Sequence, residues 1–397
     1  MGKSLLSDPA LNPIGSLCQE QTSNTDLALY IHWPFCVSKC PYCDFNSHVR
    51  AAVDQAAWRD ALLADLAWEA ALLPGRRLTS IFFGGGTPSL MPPATVAALI
   101  DAALAHWPAA PDLEITLEAN PSSVEAARFA DLSAAGVNRV SLGLQSLDDA
   151  ALRFLGRAHG VAEGLAALDT AQGSFARVNF DLIYALPGQD VAAWEAQLAR
   201  ALAFGTGHLS LYQLTIEPGT RFAAMAVRGE LAHPDPDLGA DLYAVTAALT
   251  DAAGLPAYEI SNHARPGEES RHNLAYWRYL DYAGVGPGAH GRRLLSRTQR
   301  HRKPENWLAG VAAHGHGIVE QELLEPAERA TEALLMGLRL AEGIDLDRED
   351  VDFARALDMN GVGRLLRLGH LVRHENRLVP PSSSRPLLDA ILAQIAR

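Results

Sequence analysis

The sequence has little of what a secreted, membrane-spanning or nucleic-acid-binding protein needs. It holds four cysteines, three of them between Cys36 and Cys43, so no disulfide framework can be built and a reducing compartment is implied. The formal net charge is −13, which argues against a nucleic-acid partner, because such binding needs basic surface to displace counterions. No basic-then-apolar leader opens the chain, and charges break the Ala-rich stretches well before membrane-spanning length. The expectation is a soluble, cytoplasmic protein.

What is present is apolar mass. Hydrophobic residues make up 48% of the 397 residues and charged ones 20%, enough for a large α/β barrel. The organising stretch is Tyr30 to His48, YIHWPFCVSKCPYCDFNSH, where Cys36, Cys40 and Cys43 stand with three and then two residues between them. A [4Fe–4S] cluster wants four protein ligands, so a three-cysteine loop leaves one iron open to a small molecule. The competing reading is structural zinc, with His32 or His48 as fourth ligand of a Cys3His site. Zinc ligands usually come as two separated pairs, so the spacing favours the cluster. Cys18, alone in a polar stretch, reads as an incidental thiol.

Residues 1–26 lack periodicity and read as a poorly ordered extension. From Leu27 onward, strand-like and helical runs alternate, the pattern of βα units around a parallel sheet. Strands are expected at Leu27–His32, Ser80–Phe83, Leu113–Glu118, Asn138–Leu144, Arg177–Ile183 and His208–Leu214. Helices are expected at Asp54–Leu73, Pro93–Trp107, Ser122–Ala135, Asp148–Leu155, Val161–Ala171 and Val191–Phe204. Catalytic groups in such barrels sit at the C-terminal strand ends, which here carry Gly84 to Thr87, Glu118, Gln145, Asp181 and Thr215. Each has a plainer reading, as a tight turn or a helix cap; their convergence beside the cysteine loop is harder to explain that way. The glycine run is neither a phosphate loop nor G-x-G-x-x-G, and it suits close approach of a ligand to the backbone.

The C-x3-C-x2-C loop resembles that of the radical S-adenosylmethionine (SAM) superfamily, whose fold is an incomplete (β/α)6 barrel and whose open iron chelates the methionine end of SAM. IFFGGGTPSL, ITLEANP, RVSLGLQSLDDAALRFLGRAH, NFDLIYALPGQ and HLSLYQLTIEPGTRF resemble, in that order, the family of oxygen-independent coproporphyrinogen III oxidases and HemW heme chaperones. The resemblance implies that Cys36, Cys40 and Cys43 ligate the cluster, and it places Tyr30, Tyr42, Gly85, Gly86, Thr87, Glu118, Gln145, Arg157 and Asp181 around SAM. The last three of these match positions associated with a second SAM in oxidase members.

Two departures set the branch. Oxidase members carry a cysteine two residues after the third cluster ligand, where this chain has Phe45, and a longer N-terminal segment that helps enclose the substrate. CPYCDFNSH and RHNLAYW (Arg271 to Trp277) resemble instead the heme-chaperone branch, whose HNxxYW motif is associated with heme. His272 is thereby the candidate axial ligand; a loop histidine with packing aromatics is the plain alternative, and His290 is a second candidate. A basic stretch, Arg292, Arg293, Arg297, Arg300, Arg302 and Lys303, is open to two readings: a solvated loop, or a contact for heme propionates or anionic lipid headgroups.

The expected division is an extension at 1–26, a barrel with its family-specific extension at 27–305, and a small, mainly helical domain at 306–397. Helices are expected there at Pro326–Leu340, Arg348–Leu357, Val362–Leu368 and Arg385–Ile395, with a strand at Arg377–Val379. The function the resemblance implies is a heme chaperone that delivers heme to acceptor proteins, respiratory ones at the membrane among them. An electron donor and a homodimer are further expected partners. The rival is coproporphyrinogen III dehydrogenase.

Overall fold

The computed structural model describes residues 25–397; Cys18 and nearly all of the expected extension lie outside the described residues. Six parallel strands form the frame: β1 (Asp26–Trp33), β2 (Arg77–Gly85), β3 (Ala109–Ala119), β4 (Arg139–Gln145), β5 (Arg177–Tyr184) and β6 (His208–Gln213). Five more strands extend the sheet: β7 (Asn262–Ala264), β8 (Tyr282–Val285), β9 (His290–Arg293), β10 (Ser296–Arg300) and β11 (Ile318–Leu323). The order is β11-β10-β9-β8-β1-β2-β3-β4-β5-β6-β7, so the barrel is open, with added strands at both edges. The main sheet therefore runs past the expected boundary at 305, and Trp307 and Val311 belong to its core.

Side-chain alternation along these strands divides outside from inside. Leu27, Leu29, Ile31, Ile81, Phe83, Ile115, Leu117, Val140, Leu142, Phe180 and Leu211 share one apolar core with helices α1 (Gln55–Leu72) and α2 (Pro93–His106). The alternate residues point inward and are largely polar. Asn179 Nδ2 donates to Ser141 Oγ at 2.6 Å and Ser210 Oγ at 2.9 Å, while its Oδ1 lies 2.7 Å from His208 Nδ1. Buried polar groups are tolerated when bonded in this way.

The N-terminal mouth of the barrel is plugged by a short helix, α3 (Arg271–Trp277). Ser270 caps it by accepting from the Asn273 N–H at 3.3 Å, and Glu114 of β3 accepts the backbone N–H groups of Arg271 and His272, each at 3.2 Å. Arg177 pairs with the same carboxylate at 2.7 Å. A carboxylate at orphan N–H groups is favourable, and burial, which would push Glu114 up, is outweighed by Arg139 and Arg177, which hold it below its usual range.

The basic stretch is neither a solvated loop nor an open anion site over most of its length. Arg293 and Arg300 are fully buried and pair with Glu69 and Asp65 of α1, and Arg292 lies over the Tyr279 ring at 3.6 Å. Arg297 pairs with Glu322. Only Arg302 and Lys303 stay exposed with no ion pair among the described residues.

Beyond the sheet, helices Pro326–Gly337, Met359–Leu368 and Leu388–Ile395 and a small three-stranded sheet share a second core around Leu334, Leu365, Leu378 and Ile391. Two expected helices differ. The run 348–357 holds only a short turn at Phe353–Arg355, because Arg348 is drawn to Asp350 and to the Tyr279 carbonyl. Ser122–Ala135 breaks into Ser123–Ala126 and Phe129–Ala134, with Arg128 at the break reaching the Ser89 and Met91 carbonyls. Among the described residues, no helix is long and apolar enough to cross a membrane.

Candidate functional site

The cysteine loop leaves β1 at Trp33 and is held against the end of β2. Gly86 N–H donates to the Trp33 carbonyl at 2.7 Å, and Thr87 N–H donates to the Phe35 carbonyl at 2.8 Å. This closeness is what the glycines permit. A Cβ on Gly86 would stand 2.7 Å from the Phe35 carbonyl oxygen, and one on Gly85, whose φ is +112°, would stand 2.5 Å from the His32 ring. The backbone approach predicted for a ligand is thus first an approach of the loop itself.

Cys36, Cys40 and Cys43 line one cavity of about 390 Å³ with Tyr42, Gly85, Gly86, Thr87, Glu118, Gln145, Arg157 and Asp181. Tyr30 is the exception among the predicted SAM residues. Its hydroxyl bonds His32 Nδ1 at 2.9 Å and its ring lines a neighbouring cavity, because the side chain belongs to the inward face of β1 below the loop.

The donors around the sulfurs suit thiolates. Thr87 Oγ1 donates to Cys36 Sγ and Arg157 Nη1 to Cys40 Sγ, each at 3.5 Å. Burial pushes Cys36 and Cys43 up, opposed at Cys36 by the Thr87 hydroxyl and at Cys43 by the Phe45 amide. Arg157 also donates to Asn120 Oδ1 at 2.7 Å and the Gly143 carbonyl at 2.8 Å, leaving its buried Nε without a partner. Asn120, which sequence reasoning missed, bonds Thr87 in turn; its place just after β3 was the available signal.

The zinc alternative fares poorly on the donor set. Both nitrogens of His32 are engaged, by Tyr30 and by the Asn46 carbonyl, each at 2.9 Å, and His48 Nε2 lies 3.3 Å from Asn46 Oδ1. A larger group spanning three sulfurs fits the shared cavity wall, with hydrogen bonds to sulfur of the kind that tune clusters.

Glu118 and Asp181 face each other across the cavity. Burial, then the Asp181 charge, pushes Glu118 up to about 8, and its Oε2 accepts the Gly85 N–H at 3.1 Å. Gln145 has φ +67°, a conformation non-glycine residues rarely hold and one that functional sites tolerate.

Two further cavities adjoin. One, of about 850 Å³, runs from the cluster loop past Tyr212 and Tyr243 to Arg339 and Arg385 of the C-terminal region. The other, of about 400 Å³, lies toward the β8–β9 edge and is lined by Tyr30, His32, Tyr276, Tyr282, His290 and Arg302. Phe45 and Glu118 line all three.

His272 is not where an accessible axial ligand must be. It is buried within the barrel, with Nδ1 bonded to Ser80 Oγ at 2.9 Å, Nε2 left without a hydrogen-bond partner among the described residues, and its ring stacked on Phe82 at 4.9 Å and set edge-on to Tyr276 at 4.9 Å. Burial holds its pKa down to about 3, and it lines none of these three cavities. The motif forms a capped helix rather than a loop, and that turns His272 inward.

Residues 30–199 match the model of the radical SAM superfamily, and residues 324–387 match that of the HemN C-terminal domain. The "Heme chaperone HemW" of Escherichia coli (strain K12) is 42% identical over 80% of this chain and 83% of its own length. This chain belongs to the HemW family of radical SAM proteins. HemW of Mycobacterium tuberculosis (strain ATCC 25618 / H37Rv) is 38% identical over 92% of this chain and 93% of its own length. A mouse relative, named radical S-adenosyl methionine domain-containing protein 1, mitochondrial, is 42% identical over 85% of this chain and 78% of its own. Among solved structures, the Escherichia coli coproporphyrinogen III oxidase HemN, described as a radical SAM enzyme, superposes with a TM-score of 0.78 at 23% identity, covering 95% of this chain and 91% of that one. It shares the partial barrel of the HemW fold.

Proposed function

We propose that this chain is a heme chaperone, binding heme and passing it to acceptor proteins, with a [4Fe–4S] cluster on Cys36, Cys40 and Cys43 and SAM in the adjoining cavity. The observation that carries the reading is Phe45. It stands 59% exposed at the junction of three cavities, where a decarboxylating relative is expected to carry cysteine. An apolar ring there can pack against a flat ligand and offers no thiol for chemistry.

When bound, the cluster supplies one-electron reduction and an open iron for SAM. The chain's own residues hold and insulate that centre. Thr87 and Arg157 donate to the sulfurs, Gly85 and Gly86 let the loop lie close on β2, Asn120 fixes Arg157, and Glu118 keeps a proton at neutral pH. Gln145, Arg157 and Asp181 line the wall where SAM sits. An electron donor, heme-accepting respiratory proteins at a membrane, and a homodimer complete the functional picture.

A second reading, oxygen-independent coproporphyrinogen III dehydrogenase, is favoured by the 850 Å³ cavity, which reaches Cys43 and carries Arg339 and Arg385 to receive carboxylates. One anaerobic preparation separates the two. Reconstituted protein given SAM, reductant and coproporphyrinogen III should release no protoporphyrinogen, while heme titration should saturate at a fixed stoichiometry. Product at many turnovers reverses the ranking.

A further inference from the structure

Of the three cavities that meet at Phe45, the 850 Å³ one has no histidine in its wall, and the cluster cavity has His159, whose Nε2 is taken by the Leu144 carbonyl at 3.2 Å. The third has His32, bonded at both ring nitrogens, and His290. His290 is exposed at the start of β9, and among the described residues no protein group bonds its ring. Burial of part of the ring and the nearby Arg302 charge favour its neutral form, against the pull of Glu320.

Arg302 faces the same cavity and is one of the two members of the basic stretch left unpaired. Its backbone is fixed. Asn46 Nδ2 donates to the Arg302 carbonyl and to the Pro287 carbonyl, each at 2.9 Å, tying this wall to the end of the cysteine loop. Tyr276 and Tyr282 pack against each other at 4.3 Å and, with Tyr30 and Phe45, give aromatic walls. A neutral imidazole, a free guanidinium and flat apolar walls match the three parts of heme: iron, propionate and macrocycle.

We propose that heme is held in this cavity with His290 as axial ligand and Arg302 on a propionate, and that His272, which lines none of the three cavities, does not ligate it. This rests on the heme-carrier reading and adds the site. The cavity is open to solvent along one side, as an exchangeable cargo requires, and Gly85 and Glu118 separate it from the SAM cavity.

The test titrates ferric heme, and separately heme dimethyl ester, into the full-length, cluster-reconstituted protein, reading the Soret band and the low-temperature EPR signal. Wild type should show a histidine-ligated spectrum. His290→Ala should weaken heme binding at least tenfold and abolish that signature, and His290→Cys should replace it with a thiolate-type spectrum. Arg302→Gln should weaken heme several-fold and leave the dimethyl ester unchanged. His272→Ala should melt earlier yet keep the wild-type spectrum. If the histidine signature survives in His290→Ala, or is lost only in His272→Ala, the site is wrong while heme carriage stands. If wild type binds no heme, both fail.

Discussion

Arg300 meets the Asp65 carboxylate on two sides, Nε to Oδ2 at 2.7 Å and Nη2 to Oδ1 at 3.0 Å, with both side chains fully buried. Asp65 also accepts the Gly286 N–H at 3.0 Å and the Trp307 Nε1–H at 3.2 Å, so one carboxylate joins α1 to the added strands. Removing one partner of a buried pair leaves the other charge stranded. Arg300→Met should therefore lower unfolding free energy by about 3–5 kcal/mol, measured by chemical denaturation of the folded, cluster-free protein.

Glu118 gives a pH signature. Its folded pKa is raised to about 8, by burial first and Asp181 second. Between the ordinary carboxylate range and that value the unfolded chain has lost the proton and the folded one has not, so stability from this group falls as pH rises through the window and levels off above it. Wild type should lose stability relative to Glu118→Gln as pH rises from 5 to 8, by on the order of 3 kcal/mol, read by melting the two proteins across that range. A pH-independent difference would falsify the assignment.

Arg157 combines a fork of contacts with a fixed charge. Lysine would keep the charge and lose the simultaneous bonds to Asn120, Gly143 and Cys40. Arg157→Lys should retain full iron and sulfide content and bind SAM on the order of ten- to a hundredfold more weakly, read by equilibrium binding. Loss of iron with unchanged SAM affinity would contradict that division of roles.

Cys36, Cys40 and Cys43 act as one set. Any single Cys→Ser variant should lose most of the iron after anaerobic reconstitution, with the brown absorbance near 400 nm reduced several-fold. Retention of one tightly held zinc with wild-type melting would revive the mononuclear alternative.

Much of the barrel was legible because its strands alternate apolar and polar residues while its helices do not. Runs such as Arg177–Ile183 write that division directly, and Gly85, Glu118 and Gln145 sit at the strand ends, lining the cysteine cavity. What stayed hidden depends on partners far away in the chain. Arg293 and Arg300 read as surface charges because Glu69 and Asp65, more than two hundred residues earlier, are unmarked in an amphipathic helix. RHNLAYW gave no sign of a helix start, because the Glu114 carboxylate that accepts its first N–H groups lies on another strand. Tyr30 lines the neighbouring cavity for a related reason, since its position beside the cysteine loop in sequence says nothing about which face of β1 its ring occupies. Phe45 was noticed for the cysteine it replaces, and its position between three cavities needed coordinates.

The wall made by Glu118 and Phe45 has a thermodynamic consequence. Two sites that share a boundary cannot influence each other in one direction only. With SAM and heme in the cavities proposed above, whatever factor SAM imposes on heme affinity through that wall, heme must impose on SAM affinity.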